Sequence, residues 1–346
     1  RAFSHRSGVD GRCGWILGSV RCTDSFPHST VEGVHMVQFT LAALAVFESH
    51  HGIASRAQLR NAGLTQHAIR SLIAAGNLQP ILRGAYRLPA VPLDEPARCV
   101  AVCAAHPEVA ISGPTAGRLW GFRRIPRDRR IHVLAPPASQ PTTESWVVPY
   151  RTAAFRKQDV ETRQDGISVT TRQRTALDLA RMLNPIDLLS VIEQAARDGC
   201  LSDDDMRRVA TDWNSPRRLW LRQYLEVLDR RLEGGAADSH HEVVLGDALD
   251  RAGLVGLVRQ FWIDLPGYGP ARFDLAVPKM RWAIEVDVFP THSETAGRAS
   301  DSWRDRSAAE LDWVVERVPQ AAFGTELRAT VQRLVRAHRN RQAQLR

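Results

Sequence analysis

Residues 272–288 decide how this chain is read: Arg272-Phe273-Asp274-Leu275-Ala276-Val277, then Pro278-Lys279-Met280-Arg281, then Trp282-Ala283-Ile284-Glu285-Val286-Asp287-Val288. Two apolar-rich runs flank a four-residue turn, the pattern of a β-hairpin. Side chains alternate faces along a strand, so Glu285 and Asp287 share one face while Ile284, Val286 and Val288 take the other. With residues 278–281 as the turn, Asp274 falls opposite Glu285. Like charges facing each other across a strand pair are destabilising. Burying them unpartnered is costly or forces one to take up a proton. A hard divalent cation would remove the conflict, since Mg²⁺ is commonly held by one or two carboxylates plus water and substrate phosphate. The hairpin is therefore expected to hold Mg²⁺ or Mn²⁺ on Asp274, Glu285 and Asp287, for phosphodiester chemistry.

The surrounding pattern extends the hairpin into a domain. Gly234-Gly235-Ala236 reads as a flexible break and marks a boundary. After it come a helix over 239–252, strands over 258–264, 272–277 and 282–288, a helix centred on 301–311, a strand over 313–318 and an Arg-rich C-terminal helix. Two motifs in this region carry no chemistry. His241-Glu242-Val243-Val244-Leu245 lacks the second His of a zinc-protease helix. Gly267-x-Gly269 is a turn signal beside prolines, not a phosphate loop.

At the other end, the spacing predicts a helix over 41–49, an extended link at 52–54, a helix capped by Ser55 through Asn61, and a second capped by Thr65 through Ala75. Residues 78–82 and 85–88 flank Arg83-Gly84 as a hairpin. Helix, helix-turn-helix and hairpin is the order of a winged helix, here spanning 36–92. In such a module the second helix of the turn enters the major groove and the wing touches the backbone. Gln66, His67, Arg70 and Ser71 are the expected groove contacts; Arg83, Tyr86 and Arg87 are the expected phosphate contacts. Residues 93–233 read as a mixed α+β region followed by helices. A second basic cluster, Arg123, Arg124, Arg127, Arg129 and Arg130, falls in one of its loops, and Asp203, Asp204 and Asp205 open a helix capped by Ser202, where acids offset the helix dipole.

Composition agrees with a multi-domain α/β protein. The chain has 346 residues, 44% hydrophobic and 24% charged, with a net charge of +8 that favours a polyanionic partner. Its charge is unevenly placed. Between Glu48 and Asp94 there is no Asp or Glu, yet Arg56, Arg60, Arg70, Arg83 and Arg87 lie there; residues 242–316 are rich in acids. Five cysteines form no CxxC pair, and Cys99 and Cys103 share a helix face, so a reduced cytoplasmic setting is expected. No apolar run approaches the ~20 residues that span a bilayer, and no membrane partner is expected. Residues 1–35 are polar and aperiodic, with Met36 just before the first helix, and read as disordered or as a start-site artefact.

Two family resemblances follow from these motifs. Residues 237–318, with Ala237-Asp238-Ser239-His240-His241-Glu242, Asp274, the Glu285-x-Asp287 pair, His292 and Trp313-x-Val315-x-Arg317-Val318, resemble an uncharacterised bacterial family related to the very-short-patch-repair endonucleases. Residues 38–230 resemble, more loosely, the AbiEi-type antitoxins of abortive-infection systems. The first resemblance implies a restriction-endonuclease-like fold for 234–346 and a catalytic set of Glu242, Asp274, Glu285, Asp287 and His292. In that set Asp274 is the central ligand, Glu242 holds a water or acts as base, and the His292 imidazole serves the leaving oxygen. Asp301 and Asp305 lie one helical turn apart and rank below the hairpin residues. The chain departs from the family at Val288, where Gly is usual; a β-branched residue denies that position its backbone freedom.

Two functions compete. The first is a metal-dependent endonuclease acting on double-stranded DNA, in DNA repair or in defence against phage and other foreign DNA. The second is an antitoxin-type transcriptional regulator, with a toxin or defence-system partner, whose nuclease-like domain is degenerate. A purely structural adaptor would leave the acids incidental.

Overall fold

The computed structural model describes residues 38–346 apart from 142–143, 154, 200–201, 213–218 and 288–294, and no side chains at 212, 219 and 295–302. The expectations for residues 1–35, for Val288 and His292, and for the side chain of Asp301 lie outside the described residues.

Polar caps start the N-terminal helices where the sequence places them. Thr40 Oγ1 accepts the Ala43 N–H and opens α1 (Leu41–Ser49). Strand β1 (Ile53–Ser55) runs directly into α2 (Arg56–Asn61), which begins on a reciprocal pair of bonds between Ser55 and Gln58, a capping box. Thr65 opens α3 (Gln66–Ala74), and β2 (Gln79–Leu82) and β3 (Ala85–Arg87) form the hairpin. The three strands make an antiparallel sheet in the order β1-β3-β2. Phe47, Leu59, Ile69, Leu72 and Leu78 are buried.

A mixed sheet follows. It is built from α4 (Glu95–Ala105), β4 (Ala110–Ile111), α5 (Gly113–Leu119), β5 (Ile131–Ala135), β6 (Val147–Arg151), β7 (Val160–Thr162), β8 (Ser168–Thr170) and α6 (Arg172–Leu179), with strand order β6-β5-β4-β8-β7. Strand β7 escapes sequence reading because three residues are too few to show alternation; its pairing with β8 defines it. Then α7 (Pro185–Arg197), α8 (Asp203–Asp212) and α9 (Leu219–Asp229) pack with α6 around Leu177, Leu188, Ile192, Met206 and Tyr224. Ser202 and the three acids open α8 as expected.

The last sheet comprises β9 (Glu233–Gly234), β10 (Val258–Leu265), β11 (Gly269–Val277), β12 (Trp282–Asp287) and β13 (Val314–Pro319), in the order β13-β12-β11-β10-β9. Helices α10 (His240–Arg251), α11 (Thr295–Glu310) and α12 (Leu327–Gln344) complete the segment. Leu245, Leu249, Leu275, Trp282, Ile284 and Leu334 share one core cluster, which joins α10 and α12 to the sheet. The element order expected for 239–318 is present, but the flexible break at Gly234 is not. Gly234 pairs with Arg259 as a parallel edge strand. Its φ is +98°, and an added Cβ would stand 2.1 Å from the Arg259 carbonyl oxygen. The glycine permits close backbone approach there rather than slack.

A buried ion network ties the helical region to this sheet. Glu193 of α7 is fully buried. Its carboxylate accepts the Arg231 Nε–H at 2.9 Å and the Ala237 N–H at 3.2 Å, and it pairs with Arg259 of β10. Arg123 adds bonds to the carbonyls of Ser190, Ala237 and Asp238 at 3.0, 3.2 and 2.8 Å. Burial pushes the Glu193 carboxyl up, but Arg259 and Arg231 more than reverse this and hold it below its ordinary value. Removing the carboxylate would leave the buried Arg259 guanidinium without its carboxylate partner, while Arg231 keeps Asp203. Glu193→Ala is therefore expected to cost about 3–5 kcal/mol in urea unfolding. A loss under 1 kcal/mol would show that the network is not a structural joint.

Candidate functional site

Two polar regions stand out, one basic and one acidic. In the basic region α3 buries Ile69 and Leu72 and exposes Gln66, His67 and Arg70, as its apolar spacing requires. Arg83 is exposed in the β2–β3 turn, whose Gly84 has φ +84°. Arg87 is half-buried and donates from Nε to Gln79 Oε1 at 2.7 Å. Tyr86 differs from expectation. It is 5% exposed, and its hydroxyl oxygen accepts bonds from Arg56 Nε at 3.2 Å and Nη2 at 3.1 Å. The phenol is thus a brace beneath Arg56 rather than a surface contact, because β3 turns its ring inward against the core.

Arg56 is the residue the sequence reading left unassigned. The Ser55 cap sets it at the first position of α2, and its N–H donates to the Gly84 carbonyl at 2.8 Å, bringing it beside Arg83. A cleft of about 470 Å³ opens between Arg56, Arg83 and the α4 residues Cys103, Ala104 and Ala105, and none of its described lining residues is a carboxylate. The Cys103 thiol is buried and pushed up to about 12, which suits packing and not reactivity. The Arg cluster of residues 123–130 is partly structural: Arg123 serves the buried network, Arg124 pairs with Asp187 at 2.8 Å and Arg130 with Asp128 at 2.8 Å.

In the acidic region the hairpin register runs Leu275↔Ile284, Ala276↔Ala283, Val277↔Trp282, which sets Asp274 one rung further, opposite Glu285. Asp274 Oδ2 accepts the Val286 N–H at 2.8 Å. Glu285 pairs with Arg304 of α11. Glu242 is 4% exposed; its Oε2 accepts the Asp238 N–H at 2.9 Å and Gln260 Nε2–H at 2.7 Å. Burial, and then the Asp274 charge, push the Glu285 carboxyl up to about 7 and raise Glu242 as well; Asp274 is itself raised, by burial first. Asp287 is exposed at the end of β12, and Asp305 pairs with Arg317 at 2.9 Å.

Cationic side chains offset part of the carboxylate charge here. Arg304 neutralises Glu285, Arg272 lowers the cost of ionising Asp274, and protons take up part of the rest. Of the residues expected to hold Mg²⁺ or Mn²⁺, Asp274 accepts the Val286 N–H, Glu285 pairs with Arg304 and Asp287 is exposed. Among the described residues no group of three or more His, Cys, Asp or Glu side chains could hold a metal ion.

Comparison with known families separates the competing readings. Residues 42–89 match the family model described as "Transcriptional regulator, AbiEi antitoxin", and residues 100–227 match the AbiEi antitoxin C-terminal domain. Two separate segments of the chain thus match two AbiEi antitoxin domain models. The first match covers the basic module and the second runs from α4 into α9. No curated protein matches the chain. The crystal structure of the RV2827C protein from Mycobacterium tuberculosis is similar over 54% of this chain and 74% of its own, at 18% identity and a TM-score of 0.37.

The AbiEi antitoxin matches correct the leading functional expectation. A metal-dependent endonuclease, a hydrolase dependent on magnesium, is overturned in favour of the antitoxin-type regulator. The matches end at residue 227, and no family model supports the repair-endonuclease resemblance expected over 237–318. Among the described residues no helix is long and apolar enough to cross a membrane.

The raised carboxyl of Glu285 has a measurable consequence. The folded state holds its proton to a higher pH than the unfolded state does, so stability present below about pH 4.5 is lost as pH rises towards about 7. Glu285→Gln is expected to flatten the stability–pH curve over that window, by up to about 1.4 kcal/mol per pH unit. Urea midpoints at pH 5, 6 and 7 read this directly, and identical slopes for both proteins would refute it.

Proposed function

We propose that this protein is a DNA-binding transcriptional regulator of the antitoxin type, acting with a toxin partner. The carrying observation is the acid-free basic module matched to the AbiEi regulator. Between Glu48 and Asp94 the chain has no carboxylate side chain, while Arg56, Arg60, Arg70 and Arg83 are exposed. We read α1–α3 with the β1-β3-β2 sheet as a winged helix. Its α3 lies in the major groove, with Gln66, His67 and Arg70 towards base edges, because such donors recognise bases there. Arg83 of the wing and Arg56, braced by Tyr86, meet the phosphate backbone, where guanidinium bonds fix register without reading sequence. The matched second domain, 100–227, is the region we assign to antitoxin action. The last sheet, docked through Glu193, serves as an effector or partner module.

Double-stranded DNA is the ligand of this module, and its binding should be strongly salt-dependent because counterions are released. The variant Arg70→Ala/Arg83→Ala is expected to weaken binding to a duplex from the region upstream of its own gene more than about tenfold. It should also reduce the salt slope by about 2. Fluorescence anisotropy across a salt series measures both. Unchanged affinity and slope would remove α3 and the wing as the DNA-contacting surface.

A further inference from the structure

Helix α12 carries a row of cations with no structural task. Its sequence, Leu327–Gln344, contains five arginines and no Asp or Glu. Two of these are employed: Arg333 pairs with Glu316, and Arg341 is buried, donating from Nε to the Met280 carbonyl at 3.0 Å and pairing with Asp312 at 2.7 Å. The other three, Arg328, Arg336 and Arg339, are exposed. Among the described residues none of the three pairs with a carboxylate. At about 100° per residue they fall within an arc of roughly 80°, with Gln332 between them. Thr330, Leu334, His338 and Arg341 are the buried residues of α12 and lie on the opposite side. The helix therefore presents one face to its core and a separate, rigid cationic face to solvent.

We infer that this face of α12 is a second contact surface for the phosphate backbone of double-stranded DNA, outside both antitoxin-matched segments. The inference rests on the DNA-binding reading and extends it to residues 328–339. The row is about 17 Å long, equivalent to roughly five base-pair steps along a duplex. Arginine suits phosphate through its planar fork, and Gln332 and Asn340 are exposed neutral donors that can bond phosphate oxygens. A protein partner fits less well. Interface centres are built on aromatic or aliphatic anchors. On this face, between Arg328 and Asn340, the exposed side chains are Arg, Gln, Asn and the small Ala329. The contact would carry no base information; it would add affinity, salt dependence and orientation of the C-terminal sheet along the duplex.

The test uses the full chain and a fluorescein-labelled 40-base-pair duplex of arbitrary sequence, titrated over a salt series. Wild type is compared with Arg328→Gln/Arg336→Gln/Arg339→Gln, with Arg70→Ala/Arg83→Ala, and with the five-fold combination. Glutamine keeps helix propensity, and thermal melting by circular dichroism should be unchanged. The triple variant is expected to lower the slope of log affinity against log salt by about 2 to 3 and to weaken binding at every salt concentration. Its effect should add to that of the α3–wing variant. A triple variant with wild-type slope, beside an α3–wing variant that loses binding, overturns the α12 surface and leaves the regulator reading intact. Loss on the triple variant with an unaffected α3–wing variant supports α12 and overturns the winged-helix assignment. Wild type that binds no duplex overturns both.

Discussion

The carboxylate of Glu193 is the point on which the architecture turns. It lies fully buried on α7, and it is satisfied only because Arg231, Arg259 and the Ala237 N–H arrive from three later parts of the chain. An isolated buried charge is not tolerated, so folding of α7 and docking of β10 are mutually dependent. Arg123 extends the same joint to the loop after α5. The C-terminal sheet is thereby held by desolvated charges and by Gly234 packed against Arg259, not strung on a linker. The same contacts join the sheet to the helices of the antitoxin-matched segment.

Charge elsewhere is sorted by the same rule. Two largely buried acids of the C-terminal segment are compensated from within: Glu285 by Arg304, Glu242 by backbone and amide donors. Cations without such partners collect on surfaces, at Arg56, Arg70 and Arg83 in the N-terminal module and at Arg328, Arg336 and Arg339 on α12. Buried charge must be neutralised locally, whereas exposed charge in water costs little and remains available to a polyanion. The net charge of +8 is thus an outward-facing property, concentrated where no carboxylate answers it.

Much was legible from the chain alone wherever the deciding forces are local. Ser55, Thr65 and Ser202 opened helices at the positions their caps predict, because a side-chain oxygen reaches N–H groups only two or three residues on. The register opposing Asp274 to Glu285 was legible too, since a short turn fixes the pairing of the strands it joins. So was the basic, acid-free front of the molecule, a matter of counting.

What the sequence by itself determined, then, is element order, caps, hairpin register and the uneven placement of charge. Only the tertiary structure decided what becomes of each charged or polar group. Tyr86 became a brace under Arg56, Gly234 an edge strand, and Arg304 the ion-pair partner of Glu285. The physical reason is range. Capping and strand alternation act within a few residues. The cost of a buried carboxylate instead depends on which distant guanidinium packing brings within a few ångströms, and nothing in residues 272–288 announces an arginine on α11.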